Sequence, residues 1–381
     1  MKKRVLTILA ALAAAAVSAA AQNLVTGSIE GVTPQGSYMP TFASDGAAEA
    51  PLNVILMIGD GTGLAHYASG YFANGEELTV MNLKHMGWVT TKSSNRFTTD
   101  SAASGTAYSA GIKTYNGSIG LDDDRQSVPN IPELIEPEGI ISAVVTTDNL
   151  DGATPACFFA HQENRRMSKE IWADLPASHL TFFAAGHETV YELQPEATRR
   201  AIEEVFTIVK SLDDPRAAGS ARLGYLPPKS ETTYIKKGRT DFLPVSTRYA
   251  IDFLRARTNP GKGFFMMVEG ARIDKASHAN DYDSMVLELL DFDKAITEAI
   301  KFADEDGHTL VVICADHETG GTFIWDGDPS KGNVSGGFVS GGHTAIPIPI
   351  FAYGPHAQDF MGVQGNNEVS LKIQKLLLGE R

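Results

Sequence analysis

Three short apolar runs in this chain each end on an acidic residue. Asn53-Val54-Ile55-Leu56-Met57-Ile58-Gly59 stops at Asp60, and Gly263-Phe264-Phe265-Met266-Met267-Val268 stops at Glu269. Thr309-Leu310-Val311-Val312-Ile313-Cys314-Ala315 stops at Asp316, with His317 directly after it. Runs of this length, bounded by Gly and polar residues, read as buried strands. In an open parallel α/β sheet, ligands gather at the carboxyl ends of the strands. The pattern therefore predicts three acids brought to one sheet edge. Carboxylates grouped there repel one another unless cations neutralise them. Asp274 and His278 add an acid and an imidazole at helical i, i+4 spacing. Oxygen and imidazole donors with little sulfur point to Zn²⁺ or Mg²⁺.

The chain begins Met1-Lys2-Lys3-Arg4, continues with an apolar Val5–Val17 run, and offers small residues at Ala19-Ala20-Ala21. This is the pattern of a secretory signal peptide over residues 1–21, with a mature chain from about Gln22. The run is too short for the roughly 20 apolar residues a membrane span needs, so no span is expected in the mature chain and the expected location is periplasmic or secreted. The roughly 360 remaining residues can bury a sizeable core. The formal charge is −14, or about −17 once the basic leader is gone, which argues against nucleic acid or an anionic membrane as a general partner. A phosphate substrate stays possible, because bound metals reverse the local sign. The two cysteines, Cys157 and Cys314, lie in apolar surroundings and read as buried thiols.

Residues 22–50 are rich in small and turn-forming residues and read as a mobile arm or an extended wrap, leaving 51–381 as one domain. Further strands are expected at 88–91, 140–147, 180–184 and 348–353. Helical periods occupy 195–212, 249–257, 282–303 and 368–378. Residues 213–245 read as an irregular surface excursion and 327–342 as a Gly-rich loop. The alternation predicts a three-layer α/β/α sandwich on a central, mostly parallel sheet.

Thr99-Asp100-Ser101-Ala102-Ala103-Ser104 places Ser101 at the start of a helix of small residues. Backbone donors at such a start suit a phosphate, and an adjacent metal can activate a serine. Alone, Ser101 would read as a helix cap; the acids and histidines elsewhere favour a nucleophile. No G-x-S-x-G elbow is present. Gly59-Asp60-Gly61-Thr62-Gly63 lacks the spacing of a dinucleotide loop.

Taken together, these segments resemble the alkaline phosphatases, metal-dependent phosphomonoesterases. The likeness runs from about Asn53 to Leu378. It is densest at Ile58-Gly59-Asp60-Gly61, Thr99–Ser104, Ala153-Thr154-Pro155, Val268–Lys275, Ala315-Asp316-His317 and Gly342-His343-Thr344. The resemblance implies a phosphoserine formed on Ser101 and two Zn²⁺, one held by Asp274, His278 and His343, the other by Asp60, Asp316 and His317. It implies one Mg²⁺ held by Asp60, Thr154 and Glu269. Arg165 falls where the family grips phosphate, oriented by Asp100, with Lys275 assisting through water. Small phosphate monoesters are the implied substrates and a homodimer the implied assembly.

The chain departs from the family at Gly152, two residues before Thr154, where Asp or His is common. Loose Mg²⁺ is therefore expected, with Asp151 as a possible substitute. The stretch between His317 and His343 is short, implying a reduced crown insertion. The rival readings are a phosphodiesterase or sulfatase on the same fold, and a secreted metal-binding protein without turnover. A sulfatase needs Cys or Ser followed by x-Pro-x-Arg, and Ser101 is followed by Ala102-Ala103-Ser104.

Overall fold

The computed structural model describes residues 24–379. The expected signal peptide lies outside the described residues. In chain order the strands are β1 (Val25–Ile29), β2 (Asn53–Ile58), β3 (His85–Thr90), β4 (Ile141–Thr146) and β5 (Leu180–Ala184). Next come β6 (Thr207–Val209), β7 (Leu223–Tyr225), β8 (Phe264–Glu269), β9 (Thr309–Cys314) and β10 (Glu318–Thr319). The last are β11 (Phe323–Asp328), β12 (Asn333–Phe338), β13 (His343–Thr344), β14 (Ile348–Tyr353) and β15 (Gly362–Gly365).

Ten of these form one sheet in the order β15-β3-β14-β9-β2-β8-β4-β5-β7-β6. Only β14 runs against its neighbours, β3 and β9; the remaining pairs are parallel. Side chains alternate between the two faces, as a pleated strand requires. On β2, Val54, Leu56 and Ile58 join the core beneath the sheet, while Ile55 and Met57 join the core above it. Helices cover both cores. Phe242–Arg255 and Tyr282–Asp306 lie on one face through Ile251, Leu254, Leu289 and Ile296. Ser101–Ala110 and Asn366–Leu378 lie on the other through Ala102, Tyr108, Val369 and Ile373. The architecture is the expected α/β/α sandwich. With both faces covered, every residue of β2, β8 and β9 is buried, which is why these strands read as unbroken apolar runs. Among the described residues no helix is long and apolar enough to cross a membrane. Cys157 and Cys314 are both buried and free.

One expectation with two alternatives is decided, and four need correction. Of the two readings for residues 22–50, the extended wrap is the one found: β1 pairs antiparallel with β12, which pairs with β11 on its other side. Asp304 clamps the following stretch, accepting from Tyr38 Oη at 2.7 Å and from the Thr41 amide at 2.9 Å. The Gly-rich stretch 327–342 contains a full strand, β12. Its glycines are there for close approach, because a Cβ on Gly337 would meet the Val25 carbonyl and come within 2.9 Å of Thr26 Cα. The helix expected over 195–212 stops at Val205, and β6 follows it. The excursion 213–245 contains β7, which pairs with β5 on one side and with the edge strand β6 on the other. Strands of three residues are too short to show a period. Finally, the helix expected from 249 starts at Phe242, because Pro244 sits in its first turn, where no intrahelical N–H is needed.

A buried ion triad fixes the end of that excursion. The Arg239 Nη2 donates to Glu288 Oε2 and Asp291 Oδ2, each at 2.6 Å, with all three side chains sealed from solvent. Burial pushes Asp291 up to about 6 despite the guanidinium. Arg239→Ala would leave two carboxylates buried without a cation. It should lower the free energy of unfolding by about 3–5 kcal/mol. The shift in urea midpoint at pH 8, where neither acid is protonated in the unfolded chain, measures it; an unchanged midpoint would show that the triad adds nothing.

Candidate metal centre

Strand register sets the site. In the sheet, β9, β2, β8 and β4 lie side by side. Ile58 pairs with Cys314 on one side and Glu269 on the other, and Glu269 pairs with Thr146. Asp60 and Asp316 therefore each stand two residues past paired strand ends, with Glu269 between β2 and β4. The three acids expected at one edge are brought to one edge. A second pairing, β10 with β13, sets Thr319 opposite His343 and carries that histidine back over the site.

His317 lies at the middle. Its Nε2 is 3.0 Å from Asp316 Oδ2 and 3.7 Å from Asp60 Oδ1. The same nitrogen is 3.3 Å from Ser101 Oγ. Asp316 Oδ1 is held by the amides of Gly61 at 3.0 Å and His317 at 2.9 Å. Ligand atoms of Asp60, Asp316 and His317 all lie within 4.8 Å of one another, the expected set for one zinc. Asp274, His317 and His343 form a second such group. His278, expected there with Asp274 and His343, adjoins it: its Nε2 is 3.0 Å from His343 Nε2 and 3.4 Å from Asp274 Oδ1.

The proton positions at these imidazoles matter. His343 Nδ1 is 2.9 Å from the Thr99 carbonyl, and His278 Nδ1 is 2.7 Å from the Gly341 carbonyl. A carbonyl only accepts, so both Nδ1 atoms carry protons and both neutral rings turn a lone pair outward at Nε2. Two lone pairs facing each other at 3.0 Å repel unless a proton or a metal ion lies between them. Two more buried atoms have no hydrogen-bond partner, Asp60 Oδ1 and Thr154 Oγ1. Orphaned acceptors of this kind are rare inside proteins. The donor set of carboxylates, imidazoles and one hydroxyl fits the metals that the sequence implies.

The charges say the same. Burial, and then the nearby Asp316, Asp274 and Glu269 carboxylates, push Asp60 well above the ordinary carboxylate range. Burial, and then Asp148, push Glu269 up to about 8. Asp316 alone is held low: burial opposes its charge, and the charge and hydrogen bond of His317 outweigh that burial.

Ser101 opens the helix Ser101–Ala110 and is 3% exposed. Asp100 caps that helix by accepting from the Ala103 amide at 3.0 Å and also holds the Gly117 amide at 3.0 Å. Its other oxygen takes Arg165 Nη1 at 3.1 Å. Asp100 thus faces the guanidinium and not the acids, while Arg166 stays exposed. Thr154 is buried in the one-turn helix Ala153–Ala156. Lys275 pairs with Asp148.

Several neighbours escaped the sequence reading. Thr146 donates to Glu269 Oε2, and Thr319 Oγ1 donates to Asp274 Oδ1 at 2.6 Å. Asp148 is the one with a readable signal: like Asp60 and Asp316, it stands two residues past the end of a buried strand.

The alkaline phosphatase family model matches residues 52–192 and 239–333. The unmatched stretch between them includes β6 and β7. Alkaline phosphatase H of Pseudomonas aeruginosa is 30% identical, over 85% of this chain and 85% of its own length. Alkaline phosphatase 4 of Bacillus subtilis is 29% identical, over 85% and 88%. The solved alkaline phosphatase of the Antarctic bacterium TAB5 is 37% identical and superposes with a TM-score of 0.81, covering 87% of this chain and 99% of that one. A solved mutant of the TAB5 enzyme has Mg bound.

Proposed function

Since the chain belongs to the alkaline phosphatase family and is thereby a phosphomonoester hydrolase, we propose that it acts through a phosphoserine on Ser101 at a centre for two Zn²⁺ and one Mg²⁺. One zinc would be held by Asp60, Asp316 and His317, the other by Asp274, His278 and His343, and magnesium by Asp60, Thr154 and Glu269. The observation that carries this reading is the placement of Ser101 Oγ. It lies at the positive end of a helix, 3.3 Å from the His317 nitrogen that also faces the Asp60 and Asp316 carboxylates.

When bound, the metals supply positive charge beside the attacking and leaving oxygens and favour loss of the serine proton. The protein's part is positioning. Ser101 Oγ attacks phosphorus as the ester P–O bond breaks, and the alcohol departs with a proton from water. Water then attacks phosphorus, the P–Oγ bond breaks, and inorganic phosphate leaves. Arg165 grips two phosphate oxygens as a planar fork, and its bond to Asp100 fixes the plane. The backbone donors at the start of the Ser101 helix face the same oxygens. Lys275 adds charge through water. The leader-like residues 1–21 support a periplasmic or secreted enzyme, and the family likeness supports a homodimer.

A panel of one phosphate monoester, one phosphate diester and one sulfate ester with the same leaving group tests the reading. The monoester should be turned over faster than either rival by roughly 10³-fold or more, on the scale that transition-state contacts provide. A diester or sulfate ester hydrolysed as fast would move the enzyme to another branch of the fold. No release from any of the three would leave a metal-binding protein.

A further inference from the structure

Gly152 leaves a gap in the carboxylate set that surrounds magnesium in the family, and the structure shows what fills it. The neighbouring Asp151 is engaged on the other side, where its Oδ2 accepts from Ser168 Oγ on the helix Ser168–Asp174. Asp148 does turn toward the site. It stands two residues past β4, on the strand directly beside β8 and Glu269. Its amide donates to Thr146 Oγ1 at 2.9 Å, and Thr146 in turn holds Glu269. Its Oδ1 takes the Asn149 amide at 2.8 Å and the Lys275 ammonium. Its Oδ2 lies where a side chain on residue 152 would start: a Cβ built on Gly152 would come within 2.7 Å of that oxygen. Two of the proposed magnesium ligands, Thr154 Oγ1 and Asp60 Oδ1, are buried and have no hydrogen-bond partner, as ligands lacking their ion would be.

We propose that Asp148 is a positioning residue that replaces the side chain missing at Gly152, anchoring Lys275 and holding the waters of the magnesium ion carried by Asp60, Thr154 and Glu269. The inference rests on the magnesium site proposed above. Mg²⁺ dehydrates reluctantly and keeps several waters, so a carboxylate one water away contributes much of the affinity, commonly ~10–100-fold. A glycine at 152 is then a necessity of packing, since a larger residue would displace the Asp148 carboxylate. It runs against the expectation, drawn from the sequence, that Gly152 leaves magnesium loose, and the two readings differ in the Mg²⁺ affinity they predict.

The test is Mg²⁺ content, measured by elemental analysis on zinc-loaded enzyme dialysed against graded Mg²⁺. Asp148→Asn and Asp148→Ala should weaken Mg²⁺ binding by ~10–100-fold with zinc content unchanged. Asp151→Ala should bind as the wild type does. Gly152→Asp alone should bind more weakly, while Gly152→Asp combined with Asp148→Ala should regain most of the lost affinity. Wild-type affinity in Asp148→Asn, or loss of affinity in Asp151→Ala, overturns the assignment. A wild-type enzyme that takes up zinc but no Mg²⁺ at any concentration overturns the three-ion reading itself, and this inference with it.

Discussion

Ser101→Ala is expected to lower monoester turnover by roughly 10⁴-fold or more, because removing one member of a catalytic unit disables the whole unit. Zinc and magnesium contents should stay at wild-type levels, since no metal-holding side chain changes. The helix start should survive as well, because its cap is Asp100 and not Ser101. Acid quenching during turnover of a ³²P-labelled monoester should trap label on the wild-type protein and none on the variant. Equal labelling of the two proteins would sink the assignment. Retained turnover without any trapped label would mean that water attacks the ester directly.

Removing the metals should have the other large effect. Chelation should abolish turnover, and Zn²⁺ should restore most of it. His317→Ala and His343→Ala should each lose one zinc, and different ones. The pH dependence has a definite sign. In the metal-free chain Asp60 lies well above its ordinary range and Glu269 is pushed up to about 8. Groups raised on folding stabilise the metal-free fold below their unfolded values, near pH 4, and that stability is lost as pH rises toward the folded values. Metal ligands must also be deprotonated to bind. The gain in melting temperature on adding Zn²⁺ and Mg²⁺ should therefore grow steadily from about pH 5 to pH 8. Scanning calorimetry with and without chelator measures it. A gain that is flat or shrinks across this range would show that the acids do not face the ions.

The parts of the fold that the sequence discloses are those where burial is symmetric. β2, β8 and β9 have both faces covered, so their apolar runs are continuous, and the acids that follow them stand out. β6 at the sheet edge and its neighbour β7 are too short to carry a period. β1 and β12 are hidden by glycines whose purpose is contact with another strand, which only the folded chain reveals. The helix Phe242–Arg255 is disguised by Pro244 in its first turn. The candidate site divides in the same way. Residues in dense segments, such as Asp60, Ser101, Asp316, His317 and His343, are visible because the chemistry demands those types in those places. Asp148 carries the same strand-end signal, but its meaning depends on the empty position at Gly152, four residues along and across a turn. Thr146 and Thr319 are hydroxyls whose importance lies wholly in the carboxylates they face.

The pairing of Ser101 with His317 spans 216 positions, and that of Thr99 with His343 spans 244. Contacts so distant along the chain form late, since each must close a long loop before it gains anything in return. β14, which wedges between β3 and β9, comes from the last part of the chain. A growing or truncated polypeptide that stops short of β13 cannot bring His343 to Asp274, because β13 reaches that place by pairing with β10. Under the proposed reading, an ion held by Asp60, Asp316 and His317 could settle before the chain is finished, whereas one held by Asp274, His278 and His343 would have to wait for the later segment.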